Sequence, residues 1–140
     1  MITFEKVLVL KNIPFFAEAS ELALSDLIAV CEERTVKAGE VLIEIGKENR
    51  YLFMILSGIV HVKDAQNELI AEFGARQVFG ETTVMSPATM PYRAEAQTQT
   101  TFLRVNGDQL YRTMALHPTL AKGFIGELSK RLRQAQTKNI

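Results

Sequence analysis

The sequence predicts an α+β domain in which an antiparallel β-barrel, at about residues 35–105, lies between helices near both ends of the chain. The hydrophobic period changes at Thr35, from helical spacing to short runs rich in β-branched and aromatic residues. Glycine or polar turns separate these runs, and a helical pattern returns at Asn106. We therefore expect one domain over residues 1–140, with helices at about 4–32 and 106–136.

The N-terminal helices are delimited by residues with well-understood local preferences. Phe4–Lys11 is a short apolar segment, and Pro14 disfavours helix at Ile13. Ser20 is a candidate N-cap for a second helix that runs to about Glu32. The predicted apolar face of this helix consists of Leu22, Leu24, Leu27, Ile28 and Cys31.

The central region contains about eight short candidate strands. One short helix is expected to interrupt them at Thr82–Met85, and residues 65–67 (Ala-Gln-Asn) are typical of a hairpin turn. The candidate strands lie within residues 35–46, 51–64, 68–74, 93–98 and 101–105.

The C-terminal helices carry clear start signals. Asn106 is a candidate N-cap with Gln109 three residues later, the spacing of a capping box. Pro118 suits the first turn of a last helix. An apolar stripe along that helix consists of Leu120, Phe124, Leu128 and Leu132. The stripe is expected to cover either the mouth of the barrel or a second copy of the chain.

Composition argues against several classes of function. Sixteen basic and sixteen acidic residues cancel, so no overall field favours nucleic acid or an anionic membrane. No apolar run is long enough to span a bilayer, and the first residues lack the pattern of a signal peptide. Cys31 is the only cysteine, which excludes an intrachain disulfide and favours a reducing, cytoplasmic location.

The residues that could bind a metal or a nucleic acid are few. A metal site needs about three clustered ligands, and His61 and His117 are far apart in sequence. No motif of a hydrolase or an NTPase is present, so we expect no enzyme and no required cofactor. The basic residues near the C-terminus suit the end of a helix better than a nucleic-acid contact; they are Lys130, Arg131, Arg133 and Lys138.

The segment Phe79–Ala96, FGETTVMSPATMPYRAEA, has the beginning of a phosphate-binding loop. A Gly-Glu pair leads into small hydroxyl residues, which suits a cradle of backbone N–H groups. The first positive charge is Arg93, well downstream of Gly80. The segment therefore offers donors for an anion without a cation close to them.

Four motifs occur along nearly the whole chain: LKNIPFFAEAS, AGEVLIEIGKENRYLFMILSGIVHV, VFGE and LHPTLAKGFIGELSKRLR. In the order and spacing of these motifs, the chain resembles the cyclic nucleotide-binding domain family, found in Crp/Fnr-type regulators, cyclic-AMP-dependent kinase regulatory subunits and gated channels. The resemblance implies a jelly-roll (double-stranded β-helix) barrel with a short helix in the phosphate cassette. It also implies cyclic AMP or cyclic GMP as the ligand, held at a cradle of Gly80, Glu81, Thr82 and Thr83.

The family's cassette reads approximately F-G-E-L-A-L, a few variable residues, then P-R-A-A-T-V-x-A. An ungapped alignment places Met90 at the arginine position and Pro91 at the next, which donates a backbone N–H to the phosphate. Methionine carries no charge and proline has no N–H. The other alignment needs a three-residue insertion and restores Arg93 as the phosphate ligand.

These alignments lead to different functions. The ungapped one predicts a regulatory or sensor module, part of a larger protein, that binds cyclic nucleotides weakly or not at all. The gapped one predicts a working sensor that uses Glu81 and Arg93. In the first case the partners are another anionic small molecule, other domains of a parent protein, or a second copy held through the C-terminal helix.

Overall fold

The computed structural model describes the backbone of residues 1–139 and the side chains of residues 1–137. The chain forms two compact units. The first, which we call the helical unit, contains Met1–Val30 and the residues from Leu110 onward. The second, the β unit, contains Cys31–Gln109. The interpretation of residues 1–140 as a single domain stays a prediction.

The bounds of the N-terminal helices follow from local sequence. Helix α1 spans Thr3–Lys11, a short 3-10 turn spans Pro14–Phe16, and α2 spans Glu21–Val30. Ile13 is extended, at φ −98° and ψ 127°, as the proline after it requires. The Ala23 N–H donates to Ser20 Oγ at 3.1 Å, which confirms Ser20 as the N-cap of α2.

The buried face of α2 differs from the predicted one. Leu22 is 66% exposed, whereas Ala23, Leu24, Leu27 and Ile28 are buried. Successive helical residues are about 100° apart, so Leu22 points about 200° away from Leu24. An alanine, whose side chain is too small to dominate a hydrophobic pattern, takes its place in the core.

The helix also ends earlier than predicted. Helix α2 stops at Val30, and residue Glu32 already begins a strand that was expected to start at Thr35. The first residues of this strand are polar and exposed, so they show no hydrophobic alternation that could mark a strand. They are in the sheet because they pair with the strand at Thr100–Asn106; Glu32, for example, pairs with Arg104. Tertiary pairing rather than local pattern sets this boundary.

The last helices begin where the sequence predicts. Helix α3 spans Gly107–Leu116, and the Gln109 N–H donates to Asn106 Oδ1 at 2.9 Å. Helix α4 spans Pro118–Asn139. The described part of the chain contains no helix that is both long enough and apolar enough to cross a membrane.

The apolar stripe of α4 is buried only in its first half. Leu120 is fully buried, and the Phe124 ring centroid lies 4.8 Å from that of Phe15. Leu128 is half-buried and Leu132 is 59% exposed. The first half of the stripe therefore contributes to the core of the helical unit, and the second half reaches solvent.

The β unit contains ten strands within the described residues, and every pairing between them is antiparallel. The hairpin predicted at residues 65–67 is present, with Asn67 at φ 63° and its N–H donating to the Asp64 carbonyl. The strands are β1 Glu32–Val36, β2 Val41–Ile43, β3 Glu48–Asn49, β4 Tyr51–Ser57, β5 Val60–Lys63, β6 Leu69–Phe73, β7 Val78–Phe79, β8 Ala88–Thr89, β9 Arg93–Ala96 and β10 Thr100–Asn106.

The strands form separate sheets rather than one closed barrel. One sheet has the order β1-β10-β4-β7, the second β2-β9-β5-β6, and β3 pairs with β8. Irregularities in the ladders, for example between Val41 and Ile43, and the shortness of several strands interrupt the hydrogen bonding. Both four-stranded sheets contribute to one core, in which the Phe53 and Phe79 rings stack at 4.7 Å. The α+β class with an antiparallel β core and flanking helices is confirmed.

The short helix predicted at Thr82–Met85 is a turn. The Val84 N–H donates to the Gly80 carbonyl at 3.0 Å, and the next residues do not continue the pattern. Thr82, Thr83 and Val84 are β-branched and favour helix only weakly. Pro87 also disfavours helical backbone at the preceding serine. The prediction of a cassette helix is therefore wrong.

The unequal burial along α4 gives a test by paired substitutions. Phe124→Ala removes a buried ring that contacts Phe15, so we expect the free energy of unfolding to fall by about 3–5 kcal/mol. Leu132→Ala, on the exposed half, should change it by about 0.5 kcal/mol or less. Urea denaturation of both variants measures the difference. Equal losses would mean that the stripe is not divided as described.

Candidate ligand site

A cavity of about 260 Å³ lies in the β unit at the segment that resembles a phosphate cassette. We call it the Met90 cavity. Most of its walls are apolar side chains from β2, β5, β6, β7 and β9. The lining residues are Ile43, Val62, Ile70, Ala71, Phe73, Phe79, Gly80, Glu81, Thr82, Met90, Tyr92 and Ala94.

The cavity brings together some of the predicted site residues and not others. Gly80, Glu81, Thr82 and Met90 line it. Thr83, Pro91 and Arg93 do not. Sequence reasoning did not identify the apolar walls as part of a site, because their pattern is that of ordinary strand residues facing a core.

Gly80 is required by the backbone at the start of the turn. Its φ is +89°, and a Cβ added there would lie 2.2 Å from the Tyr51 carbonyl oxygen. Such a distance is far below van der Waals contact, and the left-handed conformation itself disfavours other residues. Gly80 thus allows the cassette to cross closely over β4.

Thr83 belongs to a buried polar cluster beneath the turn. Asn49 Nδ2 donates to Thr83 Oγ1 at 3.0 Å and to the Tyr51 carbonyl at 2.9 Å. The Tyr51 N–H in turn donates to Asn49 Oδ1 at 3.2 Å. Asn49 and Thr83 are both buried, so these bonds satisfy groups that water cannot reach. The hydroxyl of Thr83 is engaged in fixing the turn.

The backbone of Met90 is bonded within the protein. Its N–H donates to the Lys47 carbonyl at 3.0 Å, and its carbonyl accepts from the Gly46 N–H at 2.8 Å. The Met90 side chain packs against the apolar core of the β unit. Residue 90 therefore contributes an apolar wall and no free backbone donor.

Alternation along the chain separates the two candidate phosphate ligands. Met90, Tyr92 and Ala94 line the cavity, at intervals of two residues. Successive residues of an extended strand point to opposite faces, so Arg93 lies on the other face of β9. There Arg93 NH2 donates to Asn67 Oδ1 at 3.1 Å, and its Nε lies 3.6 Å from Glu95 Oε2. Arg93 is therefore engaged by Asn67 and Glu95 on the face of β9 away from the cavity.

The residues that line the cavity include one acidic residue and no basic one. Among the residues that line it, all of which the structure describes, only Glu81 is ionisable near neutral pH. The charged side chains of β9 face away from the cavity and pair with one another and with β5; Lys63 Nζ, on β5, lies 2.6 Å from Glu95 Oε1. An anion in the cavity would find no lysine or arginine among the lining residues.

The other polar candidates have structural partners. His61 Nε2 lies 2.8 Å from Glu72 Oε2, and His117 Nε2 lies 2.7 Å from Asp26 Oδ2. In the described residues no group of three or more metal-ligating side chains is found.

In the basic cluster of α4, the Arg131 guanidinium lies 4.5 Å from the centre of the Phe15 ring. Its Nε is 3.7 Å from Glu127 Oε2. Lys130 and Arg133 are exposed, and the side chain of Lys138 lies outside the described residues. Within the cluster, Arg131 therefore contributes to the packing of the helical unit.

The sequence profile of the cyclic nucleotide-binding domain family matches residues 33–117, more than half of the chain. With the antiparallel β core and the cassette in place, the chain belongs to the cyclic nucleotide-binding domain family. No curated protein sequence matches it.

Solved structures share the fold across most of the chain. The N-terminal domain of a transcriptional regulator from Streptomyces coelicolor A3(2) has 22% identity and a TM-score of 0.81, covering 91% of this chain and 94% of that one. The sensor domain of the transcriptional regulator DNR from Pseudomonas aeruginosa has 18% identity and a TM-score of 0.80, covering 96% and 93%.

A longer protein shares the fold over part of its length. The catabolite activator protein of Thermus thermophilus has 19% identity and a TM-score of 0.79, covering 89% of this chain. This chain spans 61% of that protein. At these identities the likeness establishes the fold alone.

Because of the ion pair between Lys63 on β5 and Glu95 on β9, we expect the free energy of unfolding to fall in acid. The hydrogen bond from Lys63, together with the charges of Lys63, Arg93 and His61, lowers the pKa of Glu95 below 4.5, against the opposing effect of desolvation. The carboxylate therefore stabilises the fold above its unfolded pKa, and this contribution is lost as the pH falls through the folded pKa. Glu95→Gln should be less stable than the natural chain at neutral pH, with the difference shrinking below pH 4.5.

Urea denaturation at a series of pH values measures this difference. Glu48→Gln provides the matched control, because Glu48 pairs with Arg50 at 3.3 Å where both side chains are largely exposed. Exposed pairs contribute little, so its effect should be small at every pH. A Glu95→Gln difference that stayed constant with pH would contradict the assignment.

Proposed function

We propose that this domain is a regulatory module whose phosphate site is degenerate, so that cyclic AMP and cyclic GMP bind weakly or not at all. The observation that supports this most directly is the Met90 side chain packed against the apolar core at the cassette. The cation expected there from the family pattern is replaced by a hydrophobic wall. Binding cyclic nucleotides is a property of the family, and this chain has kept its fold.

The remaining groups are poorly suited to a phosphate. A charge-assisted hydrogen bond contributes roughly 1.5–3 kcal/mol, so the missing arginine alone weakens binding about 10- to 150-fold. Pro91 has no N–H, and that of Met90 is bonded to Lys47. Thr82 offers a backbone N–H at the turn, enough to hold an anion such as sulfate only loosely.

The alternative function through Arg93 receives less support. Its guanidinium is engaged with Asn67 and Glu95 on the face of β9 away from the cavity. Moving it inward would require a shift of the strand, and a one-residue shift would also turn Ala94 outward. Arg93 as a phosphate ligand would therefore cost both an ion pair and the register of the sheet.

Restoring the missing groups tests the proposal. Met90→Arg combined with Pro91→Ala supplies a cation and removes the proline, so cyclic AMP should bind at least about 10-fold more tightly than to the natural chain. Isothermal titration calorimetry with cyclic AMP and cyclic GMP measures the change. Met85→Arg is the matched control, because Met85 is 44% exposed and does not line the cavity.

Two results would overturn the proposal. Micromolar binding of cyclic AMP by the natural chain, abolished by Arg93→Ala, would establish the gapped alignment. An equal gain in affinity from Met85→Arg and from the restored pair would mean that added positive charge, rather than the cassette, explains the effect.

A second role, in self-association through α4, is favoured by the exposed half of its apolar stripe. Leu132 and Ile125 are 59% and 61% exposed, and Leu128 between them is half-buried. Apolar side chains along one side of a helix are typical of a surface that another helix covers. We infer that α4 docks on the same helix of a second copy.

A charged substitution on the exposed half of the α4 stripe distinguishes an effect on self-association from an effect on folding. Leu132→Glu should shift the chain toward monomer without lowering its melting temperature, because residue 132 is exposed and a carboxylate there is costly only in an interface. Gln134→Glu adds the same charge at a neighbouring exposed position and should leave the mass unchanged. Analytical ultracentrifugation gives the masses. A natural chain that is monomeric at all concentrations would disprove self-association.

A further inference from the structure

We propose that the Met90 cavity binds a small uncharged aromatic molecule carrying one N–H or O–H donor, rather than a nucleotide. The inference rests on the proposed function, because a cavity that holds a cyclic phosphate tightly would not be free for another class of ligand. It goes further in assigning the kind of molecule for which the walls of the cavity are suited.

The walls are apolar and firmly held. Ile43, Phe79 and Ala94 are buried to 7% exposure or less, and they enter the cavity from three different strands. The Phe79 ring is stacked on Phe53 at 4.7 Å, and the Phe73 ring centroid lies 5.6 Å from it. Rings fixed in this way give a flat, preorganised surface, which favours a planar ligand through stacking and burial of apolar area.

The polar groups are few and select against negative charge. Glu81 is the one charged residue among those that line the cavity, and Thr82, the next residue of the turn, also lines it. A carboxylate accepts hydrogen bonds, with room for about four, so a ligand N–H or O–H can bond to it alongside its existing partners. An anionic ligand would find no basic residue in the lining and would lose its hydration against apolar walls.

The size of the cavity limits the ligand. An apolar cavity of about 150 Å³ accommodates benzene, so one of about 260 Å³ suits a molecule of about ten heavy atoms. Ile70 and Tyr92, which line the cavity, are 47% and 39% exposed. Apolar side chains therefore reach solvent at the edge of the cavity, where such a molecule would enter. Indole has the size, the shape and the N–H donor that these features require.

The natural chain itself can be titrated with indole, 1-methylindole and indole-2-carboxylate. The protein contains no tryptophan, so indole fluorescence comes from the probe alone. We expect indole to bind with a dissociation constant of about 0.1–1 mM, usual for a ligand of this size. Removing the donor in 1-methylindole should weaken binding about 5- to 10-fold. The anionic indole-2-carboxylate should bind at least about 10-fold more weakly.

Methyl NMR locates the binding without any substitution. In a chain labelled at the methionine methyl groups, indole should shift the Met90 signal through its ring current and leave the signal of the exposed Met85 unchanged. A shift at Met85 with none at Met90 would place the probe outside the cavity and overturn the proposal. This readout stands even if a cavity variant fails to fold.

A cavity-filling pair completes the test. Ala71→Leu adds a larger side chain to the lining and should weaken indole binding at least about 5-fold, whereas Ala88→Leu, on the exposed strand β8, should not. Equal affinities for Ala71→Leu and the natural chain, or equal affinities for indole and indole-2-carboxylate, would overturn the proposal. Tight binding of cyclic AMP would instead refute the proposed function, which the calorimetric titration detects separately.

Discussion

The register of β9 between β2 and β5 is the constraint on which the character of this site depends. Ala94 pairs with Val62 on one side and with Ile43 on the other, and all of these residues line the cavity. Because side chains alternate along an extended chain, this pairing also fixes the outward position of Arg93. Met90 lies before the strand begins, and its backbone bonds to Lys47 and Gly46 hold it at the cavity. The sheet, rather than the cassette alone, determines which residue can meet a ligand.

The outward face of β9 stabilises the same register. Lys63 and Arg93 both approach Glu95, and the pairing of these residues across β5 and β9 follows directly from the ladder. A shift of one residue would bury this charged group and expose Ala94. The inward apolar packing and the outward ion pairs thus favour one and the same alignment of the strands, so Arg93 is held away from the cavity by two independent effects.

The structural features that depend on residues close together in the sequence were predicted correctly. Ser20 and Asn106 cap their helices because an N-cap hydrogen bond involves only residues about three positions away. The change of hydrophobic period marks the β unit for the same reason. At the site, the absence of a cation at position 90 and of an N–H at position 91 could be inferred from the cassette alignment alone.

The features that were missed depend on distant residues. The polar cluster at Asn49 joins positions 34 residues apart in sequence, so no local pattern marks it. Glu32 begins a strand only because Arg104 lies opposite. The apolar cavity likewise arises from strands far apart in sequence, which no single motif describes.

The packing of Met90 also limits how a phosphate-binding cation could be acquired at position 90. An arginine at position 90 alone would bring a guanidinium charge against Ile43 and Phe79, with Pro91 still lacking a donor for the phosphate. Such an intermediate would bear the cost of a charge in apolar surroundings before it gained the full benefit of a ligand. Acquiring a phosphate site at the cassette would therefore need at least two coordinated substitutions, whereas changes that enlarge or reshape the apolar walls could arise one residue at a time.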